Sequence, residues 1–379
     1  MKKLVAFLKK ELMLSVSVLA AVAALFITPP SAALLGEIDW RTLGTLLMML
    51  LVLEGFKKED IFRPVIRLAS RFQTVRGLSF FLVFAVFFSS MFVTNDVSLI
   101  IFVPLTIILL RMGKLEKYIL PVISMENIAA VRGSLLTPFG SPQNLFLYGR
   151  SGTSAWNFML HMMPLWIFSA LLLSVFICVL YRKDPKQSIH AKDEENKEWQ
   201  PERKRQRIGY LLLMAFIIAV IVSRTGFWYI AVVLVLAAVF LLDRTLFGQV
   251  DYVLLATFLC FFVFSSSISG NPAISGFLQR SVAGHEYAWS ILLSQVISNV
   301  PASIVLWPFT TNLTALLYGL DSAGLVSIIG SLASVINYRI YVREYPGRGL
   351  DFLRVFTLTS LAFFAVVVVP QYFLSSWAF

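Results

Sequence analysis

The stretch "FVTNDVSLIIFVP", residues 92–104, sets Thr94, Asn95 and Asp96 in a row at the centre of an apolar run that reaches from Leu78 to Leu110. A run of that length is too long for one crossing of ~20 residues, and its most polar tripeptide sits at the middle. A re-entrant hairpin over 78–110 accounts for both features. Two short arms enter from the cytoplasm, turn at Thr94-Asn95-Asp96 and leave the same way. A non-helical turn at membrane depth must be buried in protein or line an aqueous cavity. "QVISNVPASIVLWP", residues 295–308, repeats the device at Ser298-Asn299. That predicts a second hairpin over 287–312, entering from the outside; with no Lys or Arg between residues 310 and 321, Tyr318 to Asp321 are expected in an outside loop.

The surrounding composition fits a membrane protein. Hydrophobic residues make up 58% of the chain and charged residues 14%, and Phe fills 33 of 379 positions; soluble domains carry roughly 25% charged residues. Continuous spans are predicted near 12–28, 40–56, 156–181, 208–222, 227–242, 251–268 and 353–374. Two broken spans, 118–148 and 323–343, bring the number to about nine. The net charge of +11 is no sign of nucleic acid. With the N-terminus placed inside, most of the 32 Lys and Arg fall in cytoplasmic segments, which is the positive-inside pattern. The basic start "MKKLVAFLKK" leads into a retained first helix. Cys178 and Cys260 lie far apart in apolar runs, and the three histidines have no metal spacing, so no cofactor is expected.

The halves resemble each other. Thr94-Asn95 and Ser298-Asn299 are 204 positions apart, as are Pro104 and Pro308. "IDWRTLGTLLMML" (38–50) resembles "VDYVLLATFLCFF" (250–262). Between them lies "RKDPKQSIHAKDEENKEWQPERKRQR" (182–207), charged and almost free of aliphatic residues. The predicted organisation is a first membrane repeat over 1–181, a cytoplasmic linker over 182–207 and a second repeat over 208–379, with the first repeat one span shorter. The predicted fold is an all-α polytopic membrane protein with an inverted repeat, two re-entrant hairpins and two discontinuous helices, a design common among secondary transporters.

Each hairpin is followed by a segment unsuited to a continuous helix. "NIAAVRGSLLTPFGSPQNLFLYG" (127–149) concentrates Gly133, Pro138, Gly140 and Pro142, which weaken or break helical hydrogen bonding. Ser134, Thr137, Ser141, Gln143 and Asn144 stand among them. "GLVSIIGSLASVINYRIY" (324–341) has Gly330, Ser331, Ser334 and Asn337 but no proline, so its break is less sharply marked. Broken helices expose carbonyls suited to a dehydrated cation and half-helix N-termini suited to an anion. Asn95 and Asn299 are read as ligands, the competing reading being simple caps. Asp96, a carboxylate inside the membrane, is by default functional and is read as an ion- or proton-coupling group. Arg132 either binds an anion or neutralises Asp96 or Glu126, and the sequence leaves these open.

The segments "TNDVSLIIFVPL", "LTPFGSPQNLFLY", "SNVPASIVLWP" and "GSLASVINYRIY" resemble the hairpin tips and helix breaks of the ion-transporter superfamily. That group includes arsenite permeases, citrate and dicarboxylate carriers and some sodium–proton antiporters. The resemblance is strongest to the short bacterial arsenite-permease-like anion transporters and covers nearly the whole chain. It implies a scaffold domain, a transport domain holding both hairpins and both breaks, and a homodimer as the common assembly. Sodium-coupled dicarboxylate relatives carry Ser-Asn-Thr at each tip. Here the third position is Asp96 in one tip and Val300 in the other; arsenite permeases have Asp-Asn where this chain has Asn-Asp.

The function expected from these readings is secondary active transport, moving a small inorganic or organic anion across the cytoplasmic membrane by alternating access, driven by sodium or protons. The substrate or ion site is expected at Thr94, Asn95, Asp96, Ser134, Thr137, Gly140, Ser141, Asn144, Ser298, Asn299, Ser331, Ser334 and Asn337, with Arg132 as a charge partner. A cation–proton antiporter using Asp96 is the runner-up. An intramembrane protease needs a Ser–His or paired-Asp arrangement that the chain does not offer, so no enzyme is expected. A channel would also use re-entrant loops, but broken helices in an inverted repeat favour a carrier.

Overall fold

The computed structural model describes residues 12–28, 36–69, 72–183 and 204–375; most of the expected linker 182–207 lies outside them. The described residues form seventeen α-helices and no sheet. These are α1 (Leu12–Ile27), α2 (Trp40–Lys58), α3 (Arg63–Ala69), α4 (Val75–Val93), α5 (Asn95–Met112), α6 (Ile119–Gly133), α7 (Pro142–Ser151), α8 (Ala155–Leu180) and α9 (Lys204–Ser223). They continue with α10 (Trp228–Asp243), α11 (Tyr252–Ser269), α12 (Pro272–Val282), α13 (Glu286–Ile297), α14 (Asn299–Leu306), α15 (Leu313–Val326), α16 (Leu332–Glu344) and α17 (Gly349–Leu374). Several start with a side-chain cap. Asp39, Ser141, Ser154, Asp251 and Asn312 each accept a backbone N–H of the first turn, which satisfies donors that a helix start otherwise leaves unpaired.

Two helix starts are different. Thr94 alone separates α4 from α5, with φ 71° and ψ 156°; Ser298 alone separates α13 from α14, with φ 68° and ψ 160°. Neither makes a side-chain cap bond. Both occupy a backbone region essentially reserved for glycine, at a cost of about 1–3 kcal/mol each. The chain reverses at one strained, hydroxyl-bearing residue in each half.

The two reversals sit in equivalent surroundings. The helix after each hairpin, α6 or α15, packs against both arms of its own hairpin. The first break follows α6 as a 3₁₀ turn, Ser134–Leu136, and an extended Thr137. The second follows α15 as an extended Ser327 and a 3₁₀ turn, Ile328–Gly330. Thr137 Oγ1 donates to Met91 O at 2.6 Å, and Ser327 Oγ donates to Gln295 Oε1 at 2.6 Å. Met91 and Gln295 each lie three residues before their tip, so each break is stitched to its hairpin at the same place.

Contacts between the broken helices run in opposite chain directions. Asn337 meets Ile123, Ser334 meets Asn127, Ser322 meets Arg132 and Asp321 meets Gln143. The broken helices are therefore antiparallel, as an inverted repeat requires. The return arm of each hairpin packs on the helix after the other half's break, α5 on α16 and α14 on α7. A second packing group gathers α2 with α9 and α10, and α1 and α12 with α11; it meets the hairpins and breaks chiefly through α11 on α14 and α2 on α7.

Eight helices among the described residues are long and apolar enough to cross a membrane, against about nine spans in the sequence reading. The eight include both arms of the first hairpin, so that hairpin is longer than the short-armed device expected over 78–110. Arms of 19 and 18 residues reach roughly 28 Å at 1.5 Å per residue. The second hairpin has arms of 12 and 8 residues, too short to cross a hydrocarbon layer of about 30 Å. The second broken helix also differs from the expected 323–343. It begins at Leu313 and breaks at Ser327–Ser331, so Tyr318 to Asp321, expected in an outside loop, are fully buried. The lack of Lys and Arg that suggested a loop there belongs to a helix inside the bundle.

Candidate functional site

The expected site residues separate into three neighbourhoods. At the first tip, Asn95 Oδ1 accepts the N–H of Asp96 at 2.9 Å, and Ser98 Oγ donates to Thr94 O at 3.0 Å. One carboxylate oxygen of Asp96 is buried without a partner, and the charges that act on it belong to Asp251 and Lys57, at the ends of α11 and α2. Thr137 joins this neighbourhood through Met91. Ser134, Ser141 and Asn144 do not; they belong to the crossing of the broken helices.

At that crossing, Asn144 Nδ2 donates to the carbonyls of Ser134 and Leu135, and Ser141 caps α7 by accepting Asn144 N. Gly140 lets the break fold tightly over α6, because a Cβ there would stand 2.3 Å from Ser134 O. Gly330 does the same in the second half, 2.0 Å from Ala323 O. Asn299 reaches the crossing from the second tip, its Nδ2 donating to Leu320 O at 3.3 Å. Ser298 Oγ lies 3.5 Å from Asn299 Oδ1.

The third neighbourhood lies between α6 and α16. Asn127 Nδ2 donates to Ser334 Oγ at 3.0 Å, and Asn337 Nδ2 donates to Ile123 O at 2.8 Å. Ser331 begins α16, buried and without a side-chain cap bond.

Arg132 has a partner that the sequence reading did not offer. It is fully buried, its Nη2 donates to Ser322 Oγ at 3.1 Å, and the carboxylate acting on it is Asp321 rather than Asp96 or Glu126. With the Gln371 amide oxygen turned toward it, Gln371 accepts from Nη1 at 3.0 Å and Nη2 at 3.2 Å. Six residues separate Glu126 from Arg132, which at 3.6 per turn places them roughly 120° apart around α6. Arg132 faces α15, and Glu126 faces α5, where its partner is Thr106.

Asp321 is the functional candidate the sequence reading missed. It is fully buried and accepts Gln143 Nε2 at 2.9 Å. The signal is an acid inside the apolar run "LTALLYGLDSAGLV" (313–326), part of which the charge pattern assigns to a loop. Asn127, Gln143 and Gln371 complete a polar network inside the bundle; buried networks of this kind have strict partner requirements. A cavity of about 420 Å³ opens between the end of α1, α11, α7 and α14, lined by Phe146, Arg150, Phe262, Ser265 and Trp307.

Comparisons with known proteins agree with this architecture. A family model described as CitMHS, citrate transporter, matches residues 4–330. The inner membrane protein YbiR of Escherichia coli (strain K12) is 34% identical over 307 residues, spanning 80% of each chain. The uncharacterized transporter MJ0456 of Methanocaldococcus jannaschii is 30% identical over 304 residues, 80% of this chain and 81% of that one. Among solved structures, the YdaH transporter of Alcanivorax borkumensis, described as having an unusual topology, superposes with a TM-score of 0.54 at 15% identity. The superposition covers 91% of this chain and 87% of that one, and the likeness is one of fold.

Proposed function

Because the chain belongs to the CitMHS citrate transporter family and is a membrane transporter, we propose that it moves a small anion or oxyacid across the cytoplasmic membrane by alternating access, coupled to sodium or protons. The observation that carries this reading is the pair of strained single-residue reversals at Thr94 and Ser298, each stitched to a break in its own half. Strain of this kind persists where the surrounding structure holds it for a purpose, and its repetition in inverted halves fits a carrier whose site is approached from two sides. Asn144 and Ser134 meet at the crossing, which Asn299 reaches through Leu320 O, and Arg132 is a buried cation able to face an anion. The cavity beside Phe146 offers an approach, two residues from Asn144. The orientation we propose keeps the N-terminus in the cytoplasm, with a homodimer as the assembly.

The test is a thermal-shift screen of purified protein against citrate, other carboxylates, phosphate and arsenite, followed by uptake of the stabilising anion into proteoliposomes. A ligand that binds only the folded state adds about 2.7 kcal/mol at a hundredfold excess over its dissociation constant. Saturable uptake of that anion supports the reading; stabilisation by none of them opposes it. Asp96 supports a second reading. Its carboxylate has an unpartnered oxygen and does not pair with Arg132, as an exchanging group of a cation–proton antiporter would require. Cation–proton exchange lost in Asp96→Asn, without anion uptake, would favour that alternative.

A further inference from the structure

The last turns of α7 are held by an arginine that takes a strained backbone to reach them. Arg224, just after α9, has φ 49°, a left-handed conformation uncommon for a residue with a side chain. Its guanidinium lies over the Tyr148 ring, 4.0 Å from the centroid, and its Nη2 donates to Tyr148 O. The Tyr148 hydroxyl donates back to Val222 O at 3.2 Å. This reciprocal clasp fixes the guanidinium, yet its Nε–H is buried without an acceptor. Buried donors are normally satisfied, and each exception asks for a cause. A second arginine stands at the same place. A cavity of about 20 Å³ between α2, α7 and α9 is lined by both Arg41 and Arg224, with Thr42, Thr45 and Tyr148 around them. The Arg41 guanidinium has no acceptor among the described residues, and no acid among them lines the cavity. Asp39, two residues before Arg41, is engaged by Thr42 and by Arg150 Nε at 3.3 Å. Thr42 and Thr45 spend their own protons on Asp39 and Arg41 O. Two permanent positive charges thus share one small cavity with nothing negative to face.

We propose that this cavity binds a phosphate-type oxyanion between Arg41 and Arg224, at a site separate from that of the transported anion. Guanidinium groups match the oxygens of such an anion, and its charge offsets two cations that otherwise repel each other. Water satisfies an N–H but leaves the charge. The volume decides how much of the ligand enters. A water-sized group needs about 10–15 Å³, so one oxygen goes in and the rest of the ligand stays at the opening. That fits an oxyanion presented from the surface, either free phosphate or the phosphate of a lipid headgroup, and it leaves no room for a whole di- or tricarboxylate. The position gives the consequence. Arg41 is on α2 and Arg224 follows α9, both in the second packing group, whereas Tyr148 is on α7, the helix after the first break. An oxyanion held by both arginines joins α2 to the clasp on α7. It fastens the two packing groups without touching the crossing.

The experiment measures the melting temperature of full-length purified protein in sodium phosphate against sodium chloride at matched ionic strength. A second arm compares detergent micelles doped with phosphatidylglycerol or with phosphatidylcholine. Wild type is expected to rise in melting temperature with phosphate or with phosphatidylglycerol. Arg41→Gln loses a charge-assisted contact and should need about tenfold more ligand, or beyond, for the same shift; Arg41→Lys should keep part of the response. Arg224→Lys keeps the charge but removes the Nε–H, and it should weaken the response as well. Because Arg41 has no protein partner, Arg41→Gln in chloride should melt no lower than wild type, which separates a ligand site from a structural arginine. An Arg41-dependent shift with phosphate assigns a free anion, and one with phosphatidylglycerol alone assigns a lipid headgroup; either upholds the site. A shift from neither, or one undiminished in Arg41→Gln, overturns the proposal and leaves the cavity to water. So does an Arg41→Gln protein that melts well below wild type in chloride. None of these readouts depends on uptake, so the site and the anion-transport reading stand or fall separately.

Discussion

Replacing Ser298 with glycine should make the protein more stable, although Ser298 is a candidate site residue. Ser298 holds φ 68° and ψ 160°, a conformation that costs a residue with a side chain about 1–3 kcal/mol. Its hydroxyl contributes little in return, with one contact of 3.5 Å to Asn299 Oδ1. Glycine removes the strain but loses about 0.5–1 kcal/mol of extra backbone entropy on folding. The difference is a net gain of roughly 0–2.5 kcal/mol. Ser298→Ala removes the same hydroxyl while keeping Cβ and the strain, so it should gain nothing. Melting temperatures of the purified variants separate the two, since 1 kcal/mol moves a domain of 150–250 residues by about 2–4 °C. Thr94→Gly and Thr94→Ala should repeat the pattern, because Thr94 has nearly the same angles. If alanine stabilises as well as glycine at both tips, or if glycine destabilises, the reversals are not strained and their functional reading loses its physical basis.

Gly133→Ala should cost about 1–3 kcal/mol, as overpacking does, because its Cβ would stand 1.9 Å from Phe87 O; Gly149→Ala, with its nearest neighbour at 3.7 Å, should be neutral or slightly stabilising in the same thermal assay. Glu286 Oε1 accepts Thr311 N, Thr311 Oγ1 and Asn312 N at 2.9, 2.7 and 3.1 Å; burial opposes its charge, yet these bonds hold the carboxyl below its ordinary range. A depressed carboxylate stabilises above its unfolded value and loses that stability as pH falls through the folded one. Glu286→Gln should therefore cost roughly 1–2 kcal/mol near neutrality and flatten the acid limb of the melting profile; an unchanged acid limb would count against the tether. Asp321→Asn removes the carboxylate that acts on buried Arg132 and that accepts Gln143 and should cost about 1–3 kcal/mol, whereas Glu126→Gln removes no charge acting on Arg132 and should melt close to wild type; equal losses would refute this assignment of partners. Asn95→Ala and Asn299→Ala should abolish uptake of the anion found by screening while the proteins remain folded, and normal uptake by both would reduce them to structural residues.

How much of this was readable in advance depended on what kind of interaction placed each residue. The tips at Thr94 and Ser298 were legible because a polar pair inside an apolar run has few structural solutions, and the first break was legible from its glycines and prolines. The second break was only faintly marked. No proline announces it, and Gly330 works through close approach to Ala323 rather than through a turn of its own. Asp321 was missed for a different reason. Charge counting along the chain treats a segment without Lys or Arg as an outside loop, yet Leu313–Val326 is enclosed by helices that are distant in sequence. The partner of Arg132 was unreadable on principle, since it depends on which face of α6 meets the other repeat.

That last point bears on how the halves work together. Polar groups that each half keeps to itself, such as Thr137 with Met91 and Ser327 with Gln295, join a break to its own hairpin tip. Polar groups shared between halves, Arg132 with Ser322 and Gln143 with Asp321, lie where the two breaks cross. The first set makes each hairpin and its break a unit; the second sets the relation between the units and contains Arg132 and Asp321. A ligand that changes the charge at the crossing acts where the halves meet, while a ligand confined to one tip acts within one half. Only the first arrangement makes the state of one hairpin depend on what is bound near the other, which is what coupling between two ligands requires. The placement of Arg132 and Asp321 on opposite repeats follows that logic, and Asp96, held within the first tip where Lys57 and Asp251 are the charges that act on it, does not.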